Sequence, residues 1–111
     1  APAARLLHPT VAGLKLALRV IDVSIGGCAL FLPDDVPPIE PGTLLERVSI
    51  DLDADTRFQV NLRLRHITSI NGEARGAHLG LEMVCASGDV LRSLQRFIDQ
   101  TQKRAKLLTL D

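Results

Sequence analysis

The sequence predicts a mainly β domain: a small antiparallel barrel or curled sheet, followed by one C-terminal helix. Three observations carry this. Apolar and polar residues alternate with period two through most of residues 14–84, turn residues interrupt that alternation at short intervals, and beyond residue 87 the period lengthens to three and four. At 111 residues the chain holds one core and has no room for a second.

From Leu14, the even positions Leu14, Leu16, Leu18 and Val20 are apolar while Lys15 and Arg19 stand opposite, which describes a strand with one wet face. Asp22 continues the apolar register. An ionised carboxylate there is costly without a partner, so its expected place is the open end of a barrel or sheet. After Gly26-Gly27, Cys28–Leu32 reads as a short strand, and Pro33, Pro37, Pro38, Pro41 and Gly42 then make a loop that cannot be a central strand. In Leu44–Leu52, Val48, Ile50 and Leu52 share one face and Ser49 and Asp51 the other. Asp53-Ala-Asp-Thr reads as a hairpin connection. Phe58, Val60, Leu62 and Leu64 face inward, Gln59, Asn61, Arg63 and Arg65 outward, and His66 ends the inward row. Asn71-Gly72 is a favoured hairpin pair, and a strand from about Ala74 to Val84 puts Leu79, Leu81 and Met83 on one face. Strands joined this way hide their edges by closing.

Ser87 or Asp89 can cap a helix in which Val90, Leu94, Phe97, Ile98, Thr101 and Ala105 recur at helical steps, with Arg92, Arg96, Lys103, Arg104 and Lys106 turned mostly outward. Such a helix lies on the barrel or docks a neighbour.

Composition excludes several functions. Formal net charge is zero and there is no Trp, no Tyr and only three Phe, so neither a global field nor a set of stacking platforms recruits nucleic acid, and no field draws the chain to an anionic membrane. Locally, residues 33–55 carry seven acids against the single base Arg47, which predicts an acidic edge. Cys28 and Cys85 sit in apolar contexts and read as buried thiols of a reducing compartment. No signal peptide and no apolar run of membrane-spanning length is present, so the reading is a cytoplasmic piece without membrane insertion. It begins Ala-Pro-Ala-Ala without Met, as a fragment would.

Catalysis finds no support. Ser24 lacks the glycine frame of a nucleophile elbow, and His8, His66, His78, Cys28 and Cys85 are scattered where zinc needs paired spacing. The expectation is no enzyme, no catalytic residue, no metal and no cofactor. The stretch Ile21-Asp-Val-Ser-Ile-Gly-Gly-Cys28 has two readings. In one, Asp22 and Ser24 bond their own backbone in a turn and the glycines supply positive φ. In the other, Asp22 accepts paired hydrogen bonds from a guanine edge, Ser24 bonds base or phosphate, and Gly26 and Gly27 let the ligand approach the main chain. Guanine also offers two acceptors that suit an arginine fork.

Asp22-Val-Ser24-Ile-Gly-Gly27 resembles the Asp/Asn-x-Ser-x-x-Gly signature of PilZ domains, receptors for the bacterial second messenger cyclic di-GMP. The segments "PGTLL", "LRLRHITSINGEARGAHLGLEM" and "LRSLQRFIDQTQKRAKLL" resemble the PilZ part of YcgR-type flagellar brake proteins, a likeness running from about Leu14 to Leu108. The resemblance implies a six-stranded antiparallel barrel with a C-terminal helix, residues 1–12 being a linker remnant and residues 13–111 the domain, with its barrel at about 13–85 and its helix at about 88–108. It implies cyclic di-GMP as ligand, with Asp22 and Ser24 on a guanine, Gly27 keeping the surface open, Gly26 beside it, and Arg65 and Arg5 added to the candidate set.

The family's other half-site, an Arg-x-x-x-Arg segment before the first strand, does not occur: Arg5 is followed four positions later by Pro9. Truncation upstream explains that best, and weakened binding is expected. By resemblance the partners are flagellar motor proteins and an N-terminal YcgR-type domain, the role is ligand-dependent restraint of motility, and the location is the cytoplasm at the flagellar basal body. The alternative is a PilZ-like docking module without nucleotide, using the acidic face, the Arg-lined strand and the basic helix.

Overall fold

The computed structural model describes residues 1–70 and 75–109. It contains strands β1 (Ala3–Leu7), β2 (Lys15–Ser24), β3 (Gly27–Pro33), β4 (Leu44–Asp53), β5 (Thr56–Ile70) and β6 (Gly76–Val84), then helix α1 (Gly88–Thr109). All neighbours pair antiparallel and the strands close in the order β1-β2-β3-β6-β5-β4. The expected six-stranded barrel with a C-terminal helix is the fold observed. The Asn71-Gly72 turn, the strand start at Ala74 and the side chain of Ala105 lie outside the described residues.

Residues 1–12 are more than a linker. Ala3–Leu7 form β1, which seats Ala4 against both Leu18 of β2 and Ile50 of β4 and so closes the barrel. Ala4 and Leu6 are buried while Arg5 and Leu7 face out. Two inward side chains, one of them alanine, give too short an alternation to announce a strand.

The alternation holds through most of the barrel. Leu16, Leu18, Leu30, Leu32, Val48, Ile50, Leu52, Val60, Leu62, Leu64, Leu79, Leu81 and Met83 are all buried in one aliphatic core, the main stabilising mass of the domain at about 25 cal/mol per Å² of apolar surface removed from water. Ile39, 2% exposed, enters that core from the proline-punctuated loop. The loop is tied to the β1–β2 turn by His8: its Nδ1 accepts the N–H of Thr10 and of Val11, each at 3.2 Å, so Nε2 carries the proton and donates to the Pro37 carbonyl at 2.8 Å. At the β4–β5 hairpin the Asp53 carboxylate accepts the Asp55 N–H at 2.9 Å. That bond, with help from Thr56, holds the Asp53 carboxyl below the usual range.

Ser87 is the helix cap: its Oγ accepts the Val90 N–H at 3.2 Å and its carbonyl the Leu91 N–H at 3.0 Å. Val90 and Leu94 are buried and Phe97 and Ile98 pack against the core, so α1 lies on the barrel, while Thr101 is exposed. Cys28 is buried as expected, but Cys85 is exposed. It follows the last residue of β6 with a left-handed φ of 52°, which takes it out of the sheet's alternation. No described helix is long and apolar enough to cross a membrane.

Candidate functional site: a cleft between two bulged strands

Two interruptions of the alternation shape the outer surface. On β2, Val20 pairs with Leu30 and Asp22 with Ala29, leaving Ile21 as an extra residue. On β5, Leu64 pairs with Leu81 and His66 with Gly80, leaving Arg65 as the extra residue. A bulge shifts the residue that follows to the other face. Asp22 and His66, both inward by alternation, are therefore exposed on the outside. The expected inward register of Asp22 is corrected by this bulge, which spares the carboxylate a desolvation cost; His66 is corrected in the same way.

Both residues open onto one cleft of about 420 Å³ that crosses β2, β3, β6 and β5, within the size of roughly 300–1,000 Å³ usual for small-molecule sites. One wall is the β2–β3 hairpin, with Asp22, Ser24, Gly26 and Gly27. The other holds Arg65, His66 and Glu82, and the small residues Ala29 and Gly80 lie between. The cleft thus assembles Asp22, Ser24, Gly26, Gly27 and Arg65 of the candidate set. Arg5 is elsewhere: it faces out on β1, paired with Asp51 at 2.9 Å, and lines a separate depression with Leu7, Lys15 and Arg47.

The glycines differ in what they do. Gly26 has φ 90° with nothing near its Cβ direction, so it serves the turn. The Gly26 carbonyl also accepts the Met83 N–H at 2.8 Å, fastening the hairpin to β6. A Cβ on Gly27 would stand 2.8 Å from the Leu81 carbonyl oxygen, so its glycine is required by the close passage of β6.

On the far wall, Arg65 Nη2 bonds Glu82 Oε1 at 2.6 Å across the β5–β6 pair, leaving the rest of its guanidinium fork open to the cleft. Arg63 instead donates to the Gly42 carbonyl at 3.0 Å, so its role is to hold the loop. Beneath the hairpin, burial pushes the Cys28 thiol up to about 12, which makes it inert. Among the described residues no group of three His, Cys, Asp or Glu side chains gathers to hold a metal. His66, Gly80 and Glu82 escaped the sequence reading because nothing local marks Arg65 as a bulge.

The walls thus set an acid and a hydroxyl opposite an arginine–glutamate pair and an imidazole on one face of a closed six-stranded barrel. The PilZ domain family model matches residues 6–100. The chain belongs to the PilZ domain family. It is 59% identical over 109 residues to "Flagellar brake protein YcgR" of Methylibium petroleiphilum, covering 98% of this chain and 48% of that protein. It is 48% identical over 96 residues to the protein of the same name from Leptothrix cholodnii, covering 86% and 38%. The chain therefore spans about half the length, or less, of the curated relatives it matches. Among solved structures, the PilZ domain of Escherichia coli YcgR with c-di-GMP superposes with a TM-score of 0.76 at 21% identity, covering 95% of this chain and 85% of that one. The K. pneumonia MrkH–c-di-GMP complex gives 0.83 at 18%, covering 97% and 49%. At these identities the likeness is one of fold, and it places this PilZ barrel among barrels of the same architecture.

Proposed function

We propose that this PilZ domain is a cyclic di-GMP receptor module of a flagellar brake protein, a binding domain and not an enzyme. The observation that carries the reading is the bulge at Ile21, which turns Asp22 outward beside Ser24 on the rim of a cleft whose opposite wall holds Arg65, paired with Glu82, and His66. Asp22 accepts the paired N–H donors of a guanine edge, Ser24 bonds base or phosphate, and Gly26 and Gly27 leave the rim low. Arg65 meets phosphate or guanine acceptors with the donors that Glu82 does not use.

The chain has no Arg-x-x-x-Arg before Asp22, and arginine contacts to phosphate are worth about 1.5–3 kcal/mol each, so residues 1–111 bind weakly. The Pro2 carbonyl accepts the Val20 N–H at 3.0 Å and Pro2 borders the depression that includes Ile21, Asp22 and Val23. Residues preceding Ala1 in a longer chain consequently run past the Asp22 wall, where arginines can close over the ligand. Ordering of that segment reorients the barrel against an N-terminal domain and presents it to the motor at the basal body, restraining motility.

Calorimetric titration of cyclic di-GMP into residues 1–111 and into a chain extended upstream tests this. The extended chain is expected to bind at least a hundredfold tighter. No binding by the extended chain overturns the receptor reading, and equal tight binding by both overturns the role of the upstream arginines.

A second reading has one observation in its favour. The depression lined by Arg5, Leu7, Lys15, Glu46, Arg47 and Gln59 is larger, about 600 Å³, and Leu7 is 61% exposed there, as a protein-docking surface would have it. Asp22→Ala separates the two: loss of the ligand response with folding intact supports the receptor, and unchanged activity of the variant, with no nucleotide bound by either form, supports docking alone.

A further inference from the structure

The far wall of the cleft contains an aromatic face that the signature residues do not include. A Cβ built on Gly80 would fall closest to Nε2 of His66, with Cδ2 and Cε1 equally near at 2.7 Å. An edge-on approach to Nε2 would leave both carbons markedly farther away, so these short distances place the face of the imidazole, and not its edge, over the glycine. A second ring also crowds a glycine: a Cβ on Gly76 would meet Phe31 Cζ at 2.7 Å and Cε1 at 2.8 Å. The two rings differ in what they meet next. The guanidinium of Arg19 sits 5.3 Å from the Phe31 ring centroid, so that ring is already engaged. His66 is exposed and lines the cleft, so its second face is presented to whatever enters.

An imidazole held flat on a sheet surface is a stacking platform for a planar heterocycle. Asp22 on β2 and His66 on β5 are separated by three strand spacings of about 4.8 Å each, further than one base reaches. We infer that His66 stacks the second guanine of the dinucleotide, the one not held by Asp22 and Ser24, and that Gly80 is glycine so that the ring can lie down. The inference rests on the receptor reading given above and extends it to the opposite wall. The bulge at Arg65 is what brings the ring to this face, and the Arg65–Glu82 pair beside it borders the same base.

The test compares three full-length proteins by calorimetric titration with cyclic di-GMP: the unmodified chain, His66→Leu, which covers Gly80 without an aromatic face, and His66→Phe, which restores one. Thermal melting in parallel checks that all three fold alike. His66→Leu is expected to weaken binding roughly tenfold or more, and His66→Phe to recover most of that loss. If the unmodified chain binds and His66→Leu binds equally well, or if His66→Phe is as weak as His66→Leu, the stacking role is overturned while the receptor reading stands. If the unmodified full-length chain does not bind, the receptor reading falls and this inference with it.

Discussion

One wall of the cleft is a contiguous hairpin, Asp22 to Gly27, while the other gathers Arg65, His66, Gly80 and Glu82 through strand pairing, Arg65 and Glu82 being 17 residues apart in sequence. The hairpin wall depends on local chemistry: an extra residue at Ile21, a glycine with positive φ, and a second glycine under the neighbouring strand. The β5–β6 wall depends on register, because a single extra residue at Arg65 decides which side of the barrel receives His66. A site of this kind is half motif and half topology, and the two halves should fail differently when altered.

The largest expected contrast is in thiol reactivity. Cys28 supports the hairpin wall and is buried, with its thiol pushed up to about 12, whereas Cys85, just past β6, is exposed. Burial disfavours the thiolate, which is the attacking species, so at pH 8 Cys28 should react with iodoacetamide about a thousandfold slower than an ordinary thiol. Peptide mapping is expected to find alkylation at Cys85 alone in the native chain, with Cys28 modified as the pH approaches 12 or on unfolding. Equal labelling at pH 8 would show that the hairpin wall opens readily.

Next is Asp22→Ala, which on the proposed reading removes two hydrogen bonds to ligand, each worth about 1.5–3 kcal/mol when charged. Affinity for cyclic di-GMP in the extended chain should fall at least about a hundredfold, while stability, at an exposed position, changes by no more than about 0.5 kcal/mol in urea. A comparable loss of stability would mean that Asp22 serves the turn.

The two glycines of the hairpin separate turn geometry from strand approach. Gly27→Ala sets a methyl 2.8 Å from the Leu81 carbonyl oxygen, and overpacking of this sort costs about 1–3 kcal/mol. Gly26→Ala meets open space at φ 90° and should cost about 1–2 kcal/mol of backbone strain. Urea unfolding of both variants measures this, and an undiminished stability of Gly27→Ala would mean that β6 yields to the added methyl.

The smallest effect belongs to the far wall. Arg65 and Glu82 are about half exposed, so Glu82→Ala should cost less than about 1 kcal/mol in urea. A larger loss would make the pair a structural tie and not a wall of the site.

Much of the barrel was legible because alternation is a direct image of burial. Val48–Leu52, Val60–Leu64 and Leu79–Met83 face as their period demands, and Ser87 caps the helix by a local bond. The hairpin wall was legible for the same reason, its residues being consecutive. Alternation assigns Asp22 and His66 to the inner face because a bulge adds a residue without any required side chain to mark it. Alternation does not reveal β1, because Ala4 and Leu6 are its only inward residues and its strand character comes from having two partners in a closed barrel. The apolar context of Cys85 predicts burial and does not reveal a left-handed turn out of β6.

The central claim, that the two bulged strands face one ligand, is tested most directly by amide chemical-shift mapping of the chain titrated with cyclic di-GMP. The account predicts that Asp22–Gly27 and, in the same titration, Arg65, His66 and Gly80–Glu82 shift together along one saturation curve. Shifts confined to the Arg5, Leu7 and Arg47 depression, or to the hairpin without the β5–β6 wall, would contradict it.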